Sequence, residues 1–132
     1  MVEPMSRLPH ICLALSLGLA ACGGSNVSAL CADPSPKLIF VHVFDGSTGT
    51  PSGSGATLVV RSGAYTDSVV APSSTQADTA ALAAGNQPGF YVVTVRKAGF
   101  LNWTKDSVLV DKPAVCANPT PVSLSASLQV HN

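Results

Sequence analysis

Charge is what this 132-residue chain has least of. Only 11% of its residues are charged, seven bases balance seven acids, and the formal net charge is zero. A nucleic-acid partner needs a basic face that displaces counterions, so composition excludes that class. Glutamate occurs once, at Glu3, so paired-carboxylate catalysis would fall on aspartates such as Asp45 or Asp67. Both read as sitting in or near turns, where aspartate is ordinary. Histidine is also scarce, with only His10, His42 and His131. His42 has no second histidine near it in sequence and reads as a wall residue at a sheet rim. No cofactor or metal site is expected from such a set. Apolar runs approaching the ~20 residues that span a bilayer as a stable helix are also missing.

Turn formers and small β-branched residues are what the chain has in quantity. Ten prolines and eleven glycines accompany abundant Ala, Val, Ser and Thr. Many short strands joined by turns have this composition, and long helices do not. The length predicts one domain. Its organising stretch is Gly89 to Phe100, where Tyr91, Val93 and Val95 alternate with Thr94 and Arg96. That period of two marks a half-buried strand, opened by Pro88-Gly89 and closed by Gly99.

The N-terminus reads as a leader. Arg7 and His10 precede the apolar run Ile11 to Leu19, small residues follow, and Met5 is an alternative start. Leu19-Ala20-Ala21-Cys22 directly after that run resembles the bacterial lipobox in all four positions, and Gly23-Gly24-Ser25 follows. The resemblance implies cleavage before Cys22 and acylation of its thiol, with palmitate among the usual chains. The partner of that cysteine is then the lipid bilayer. Each buried CH₂ contributes ~0.8 kcal/mol, so two or more chains hold a protein firmly. Gly23 stands where an aspartate would resemble an inner-membrane retention signal, so the outer membrane is the expected address.

The remaining cysteines are then few. Cys12 leaves with the leader and Cys22 carries lipid, so Cys31 and Cys116 are left in an exported domain, where two thiols most often pair. A metal site is the competing reading, but neither thiol has a neighbouring histidine or second cysteine. The disulfide would close a loop of roughly 85 residues, for which ~2–4 kcal/mol of stabilisation is typical.

Strands are expected over 37–44, 56–61, 64–70, the Tyr91 stretch, a segment through Val108-Leu109-Val110, and 122–128. Ser62-Gly63 reads as a two-residue hairpin loop. The stretch 78–85 is either a short helical turn capped by Asp78 or an edge strand. Seven strands at this spacing predict a β-sandwich whose core the disulfide reinforces.

Two motifs resemble a known family. Val41-His42-Val43-Phe44-Asp45 with Thr48-Gly49-Thr50-Pro51 and Gly55-Ala56-Thr57-Leu58-Val59-Val60 is similar to the opening of the carboxypeptidase regulatory-like domains. Gly89-x-Tyr91-x-Val93-x-Val95 followed by Gly99-Phe100 resembles their second signature. Over 37–128 the resemblance implies an all-β, seven-stranded sandwich of transthyretin-like topology without catalysis of its own. The expected organisation is a lipoprotein signal peptide over 1–21, a disordered lipidated tether over 22–33 and the sandwich over 34–132.

Two enzymatic branches of related folds differ from this chain at their defining residues. The hydroxyisourate hydrolases close with Tyr-Arg-Gly-Ser, whereas this chain ends Leu128-Gln129-Val130-His131-Asn132. The intradiol dioxygenases need two tyrosines and two histidines on iron, a set the resemblance does not reproduce here. No enzyme is therefore expected. The expected function is a membrane-anchored structural or interaction module with a protein or glycan partner. The alternative is a carbohydrate- or peptide-binding module using Tyr65, Phe100 and Trp103 as contact aromatics.

Overall fold

The computed structural model describes residues 36–112 and 119–132. Alternation decides which residues reach the interior, because side chains of a strand point to opposite faces in turn. In β1 (Ile39–Asp45) the buried set is Ile39, Val41 and Val43, and in β5 (Gly89–Arg96) it is Tyr91, Val93 and Val95. The other strands are β2 (Thr57–Ser62), β3 (Tyr65–Val70), β4 (Leu82–Ala84), β6 (Trp103–Val110) and β7 (Val122–Leu128). A single short helix, α1 (Thr75–Thr79), lies between β3 and β4 among the described residues.

These seven strands make two sheets in the order β4-β1-β7 and β3-β2-β5-β6. Both sheets contribute to one buried cluster, which gives the sandwich-like, mostly β architecture. Pairing is antiparallel except between β1 and β7, which run parallel with Ile39 opposite Val122 and Asp45 opposite Leu128. Val122 N–H donates to the Leu38 carbonyl at 2.7 Å, and Leu38 N–H donates to the Gly85 carbonyl at 2.7 Å.

Two ends of the sandwich follow from this wiring. The leading end holds the start of β1, the β2–β3 hairpin, the Gly85–Gly89 connection and the close of β6 at Val110. The trailing end holds the loop after Asp45, α1, the turn at Gly99 and the close of β7. β5 lies between β2 and β6, so the organising strand is interior to its sheet.

Several boundaries differ from the sequence expectation. β6 begins at Trp103, well before Val108, because one extra residue breaks the alternation that would reveal it. Tyr91 pairs with Val108 but Val93 pairs with Lys105, so Asp106 and Ser107 bulge opposite Val92. Ser107 has φ 55, the only positive φ at a non-glycine among the described residues. Such a backbone costs ~1–2 kcal/mol outside glycine. The hairpin loop is Gly63-Ala64, one residue later than expected, since Ser62 pairs with Tyr65. Gly63 at φ 56 supplies the positive angle that a type II′ turn needs at its first central position.

The stretch 78–85, compatible with either helix or strand, contributes to both in turn. Ser74 caps α1, its hydroxyl oxygen accepting from Ala77 N–H, and Asp78 lies inside the helix. The Asp78 carboxylate instead accepts from Ser54 N–H at 2.9 Å, tying the helix to the loop after β1. Leu82–Ala84 then forms the edge strand β4 beside β1.

Candidate functional site

The three candidate contact aromatics do not meet. Tyr65 opens β3 at the leading end, and Trp103 opens β6 at the trailing end, where it faces Val95. Because β3 and β6 are opposite edges of one sheet, the two rings occupy diagonal corners. Tyr65 is held by its own neighbours. Its hydroxyl donates to Asn86 Oδ1 at 2.7 Å, and its ring stands edge-on to Tyr91 at 6.1 Å. Phe100 lies at the trailing end beyond Gly99, with the Lys97 ammonium 5.8 Å from its ring centroid. Phe100 and Trp103 both pack against the core. A platform built from Tyr65, Phe100 and Trp103 together is therefore not what this fold assembles.

Cys22, Cys31 and Cys116 lie outside the described residues. His42 is exposed on the outer face of β1, in register with Ser125 of β7, and His131 is exposed near the C-terminus. Among the described residues no group of three potential metal ligands converges.

The aspartates separate into two roles. Asp45 closes β1 and behaves as a turn aspartate, its Oδ1 accepting from Ser47 N–H at 2.8 Å and Ser47 Oγ at 2.6 Å. Those bonds hold its carboxyl below the usual range. Asp67 departs from the sequence expectation, because it sits within β3 and not at a turn. Its Oδ2 accepts from Lys37 Nζ at 2.6 Å and from Gly85 N–H at 2.9 Å. It therefore stitches the start of β1 and the end of β4 to the free edge of β3. The sequence does carry a signal for this: Tyr65, Asp67 and Val69 alternate, so Asp67 shares their inward face at a strand that ends a sheet.

The Lys37 ammonium, and then the Gly85 amide, lower the Asp67 carboxyl below the ordinary range. A depressed folded-state pKa means that stability is present above the unfolded value of ~3.9 and is lost as pH falls through the folded one. Replacing Asp67 with Asn should thus destabilise the protein near neutrality, and the difference should shrink as pH falls below the ordinary carboxylate range. Urea midpoints across that range measure it, and a difference that persists unchanged in acid refutes the assignment. The pair is partly solvated, so the effect is modest.

Three further features have no local signature in the sequence. Lys97 Nζ donates to the Ser52 carbonyl at 2.8 Å and to Ser52 Oγ at 2.7 Å, binding the turn after β5 to the loop after β1. A groove of about 440 Å³ opens between the end of β3 and the α1–β4 segment, lined by residues such as Val69, Val70, Ala77, Ala80 and Leu82. No charged side chain lines it. On the outer face of the four-stranded sheet, Phe90 is 66% exposed beside its cross-strand neighbour Leu109 at 47%. Lys97 and Ser52 are 45 residues apart, the groove depends on how the chain from Val69 to Ala83 folds back, and Phe90 meets Leu109 only through the β5–β6 register, so no short pattern announces them.

Among the described residues every buried side-chain polar atom has a hydrogen-bond partner. The large hydrophobic side chains left exposed among the described residues are Val70, Phe90, Val92, Leu101, Leu109 and Val130. No protein-family model matches the chain, and no curated protein matches it.

Proposed function

We propose that this chain is an exported lipoprotein, anchored through acylated Cys22, that presents a non-catalytic interaction domain of the carboxypeptidase regulatory-like kind at the cell envelope. The observation that carries the reading is Leu19-Ala20-Ala21-Cys22 immediately after a leader-like apolar run. The domain behind it fits that role. Its seven strands form sheets of three and four, and its polar groups serve to join elements. The family assignment within that architecture rests on the Val41–Val60 and Gly89–Phe100 motifs. The outer membrane is the proposed address, on the identity of Gly23.

A Cys31–Cys116 disulfide belongs to the same proposal. What supports it is the parallel register of β1 and β7. Cys31 lies eight residues before Ile39 and Cys116 six before its partner Val122, so two chain segments of similar length lead into neighbouring strands that start at the same end of the sheet. An exported protein meets disulfide-bearing oxidants that take up the two thiol protons and two electrons. A second reading, a peptide-binding module, is favoured only by the uncharged groove beside β3.

Metabolic labelling with a fatty-acid analogue tests the anchor. Wild-type protein should be labelled and Cys22→Ala should not, and equal labelling of both refutes the reading. Peptide mapping of the same non-reduced material should yield a Cys31–Cys116 crosslinked pair. Free thiols at both positions in exported protein remove the disulfide from the proposal.

A further inference from the structure

We propose that the leading end of the domain rests on the lipid surface, with Phe90 and Leu109 entering the bilayer interface. This rests on the lipid-anchor reading and adds an orientation to it.

Three observations combine. The first is an apolar pair: Val70, Leu101 and Val130 are also exposed, at the trailing end, whereas Phe90 and Leu109 are direct cross-strand partners at the leading end. Phe90 and Leu109 face each other across β5 and β6 on the outer face, next to the last residues of both strands' pairing at Gly89 and Val110. Val92, at 41% exposed, extends the strip by one row. The core does not need these side chains, and solvent gains nothing from them.

The second is where the chain leads in. Pro36 and Lys37 join the fold at this end, since Leu38 bonds to Gly85 and Ile39 opens β1. Cys22 precedes Pro36 by fourteen residues, which reach at most about 50 Å when fully extended. An anchor joined at this end raises the effective concentration of the leading end at the bilayer.

The third is charge. The loops framing the leading end, Ser62 to Tyr65 and Gly85 to Gly89, contain no charged residue. On the outer face of the same sheet Arg61 stands in register with Val92, one row from Phe90, and Arg96 lies further along β5. Asp106 at the bulge and Asp111 after Val110 are acids on that side, Lys112 follows Asp111, and the Lys37–Asp67 ion pair lies at the same end. An apolar tip with a guanidinium behind it suits a surface with an apolar interior and anionic headgroups. A second copy seated on the same strip is the rival occupant.

The test uses the acylated full chain in vesicles of phosphatidylethanolamine and phosphatidylglycerol with brominated acyl chains. Trp103 is the only tryptophan, and it lies at the trailing end. The native chain therefore reports from the end expected to stay in water. Phe90→Trp in a Trp103→Phe background reports from the leading end, and Leu109→Trp in that background is the second variant. Bromine contact should quench the Phe90→Trp and Leu109→Trp indoles at least about twofold more than native Trp103, because interfacial groups sit ~5–10 Å into the headgroup–acyl boundary. Quenching no greater than that of Trp103, in protein that sediments with the vesicles, overturns the docking and leaves the anchor standing. Protein that does not sediment with the vesicles overturns the anchor, and the docking with it. A blue shift at Phe90→Trp without quenching, growing with protein density, gives the strip to a second copy and overturns the proposal.

Discussion

Replacing Tyr91 with alanine lowers the unfolding free energy by about 3–5 kcal/mol, the range for removing a large aromatic from a packed core. Tyr91 is the largest fully buried side chain among the described residues, at 1% exposure. It meets Tyr65 edge-on, and its hydroxyl donates to the Gln87 carbonyl at 2.6 Å. Burial pushes its phenol above the ordinary value, so it stays neutral in the physiological range. Tyr91→Phe keeps the ring and removes only that hydrogen bond, for a cost of about 1 kcal/mol. Urea unfolding of the three proteins measures both steps. Equal losses for the two variants would mean that the hydroxyl, and not the ring's packing, holds this position.

Val93 is the second test, and its neighbour in sequence is the control. Val93 is fully buried between Val60 of β2 and the β6 side of the sheet, whereas Thr94 points outward between Val59 and Thr104. Val93→Ala removes two methyl groups from a close-packed interior, which costs ~1–3 kcal/mol according to how far the site relaxes. Thr94→Ala removes a weak outer contact, Thr94 Oγ1 to Thr104 Oγ1 at 3.4 Å, and costs under about 0.5 kcal/mol. A one-residue slip of register would exchange the two results, since it turns every side chain to the other face. Thr94→Ala emerging as the more damaging variant would refute the register of β5.

Tyr91 and Val93 are legible in the sequence because alternation is a local property. A strand writes its buried face into every second residue, and in β1, β5 and β7 nothing interrupts the count. The same locality explains the failures. Asp106 and Ser107 add one residue to β6, so its period breaks and only Val108 onward reads as strand. Ser74 and Asp78 are both good N-caps, and the choice falls to Ser74 because the Asp78 carboxylate is engaged by the Ser54 amide across the fold. No propensity contains that contact.

The candidate surfaces divide in the same way. Composition and order along the chain determined the low charge, the leader-like run with its lipobox-like end, the strand number and the inward residues of the central strands. Each of these depends on residues within a few positions of one another. Tertiary structure alone decided that Tyr65 and Trp103 fall at opposite corners, that Asp67 binds Lys37 and Gly85 across three strands, and that Phe90 finds Leu109 at the end where the chain leads in. Those outcomes depend on which strands become neighbours. Strand neighbours are chosen by the burial of one shared core, a global quantity that no short stretch of sequence carries.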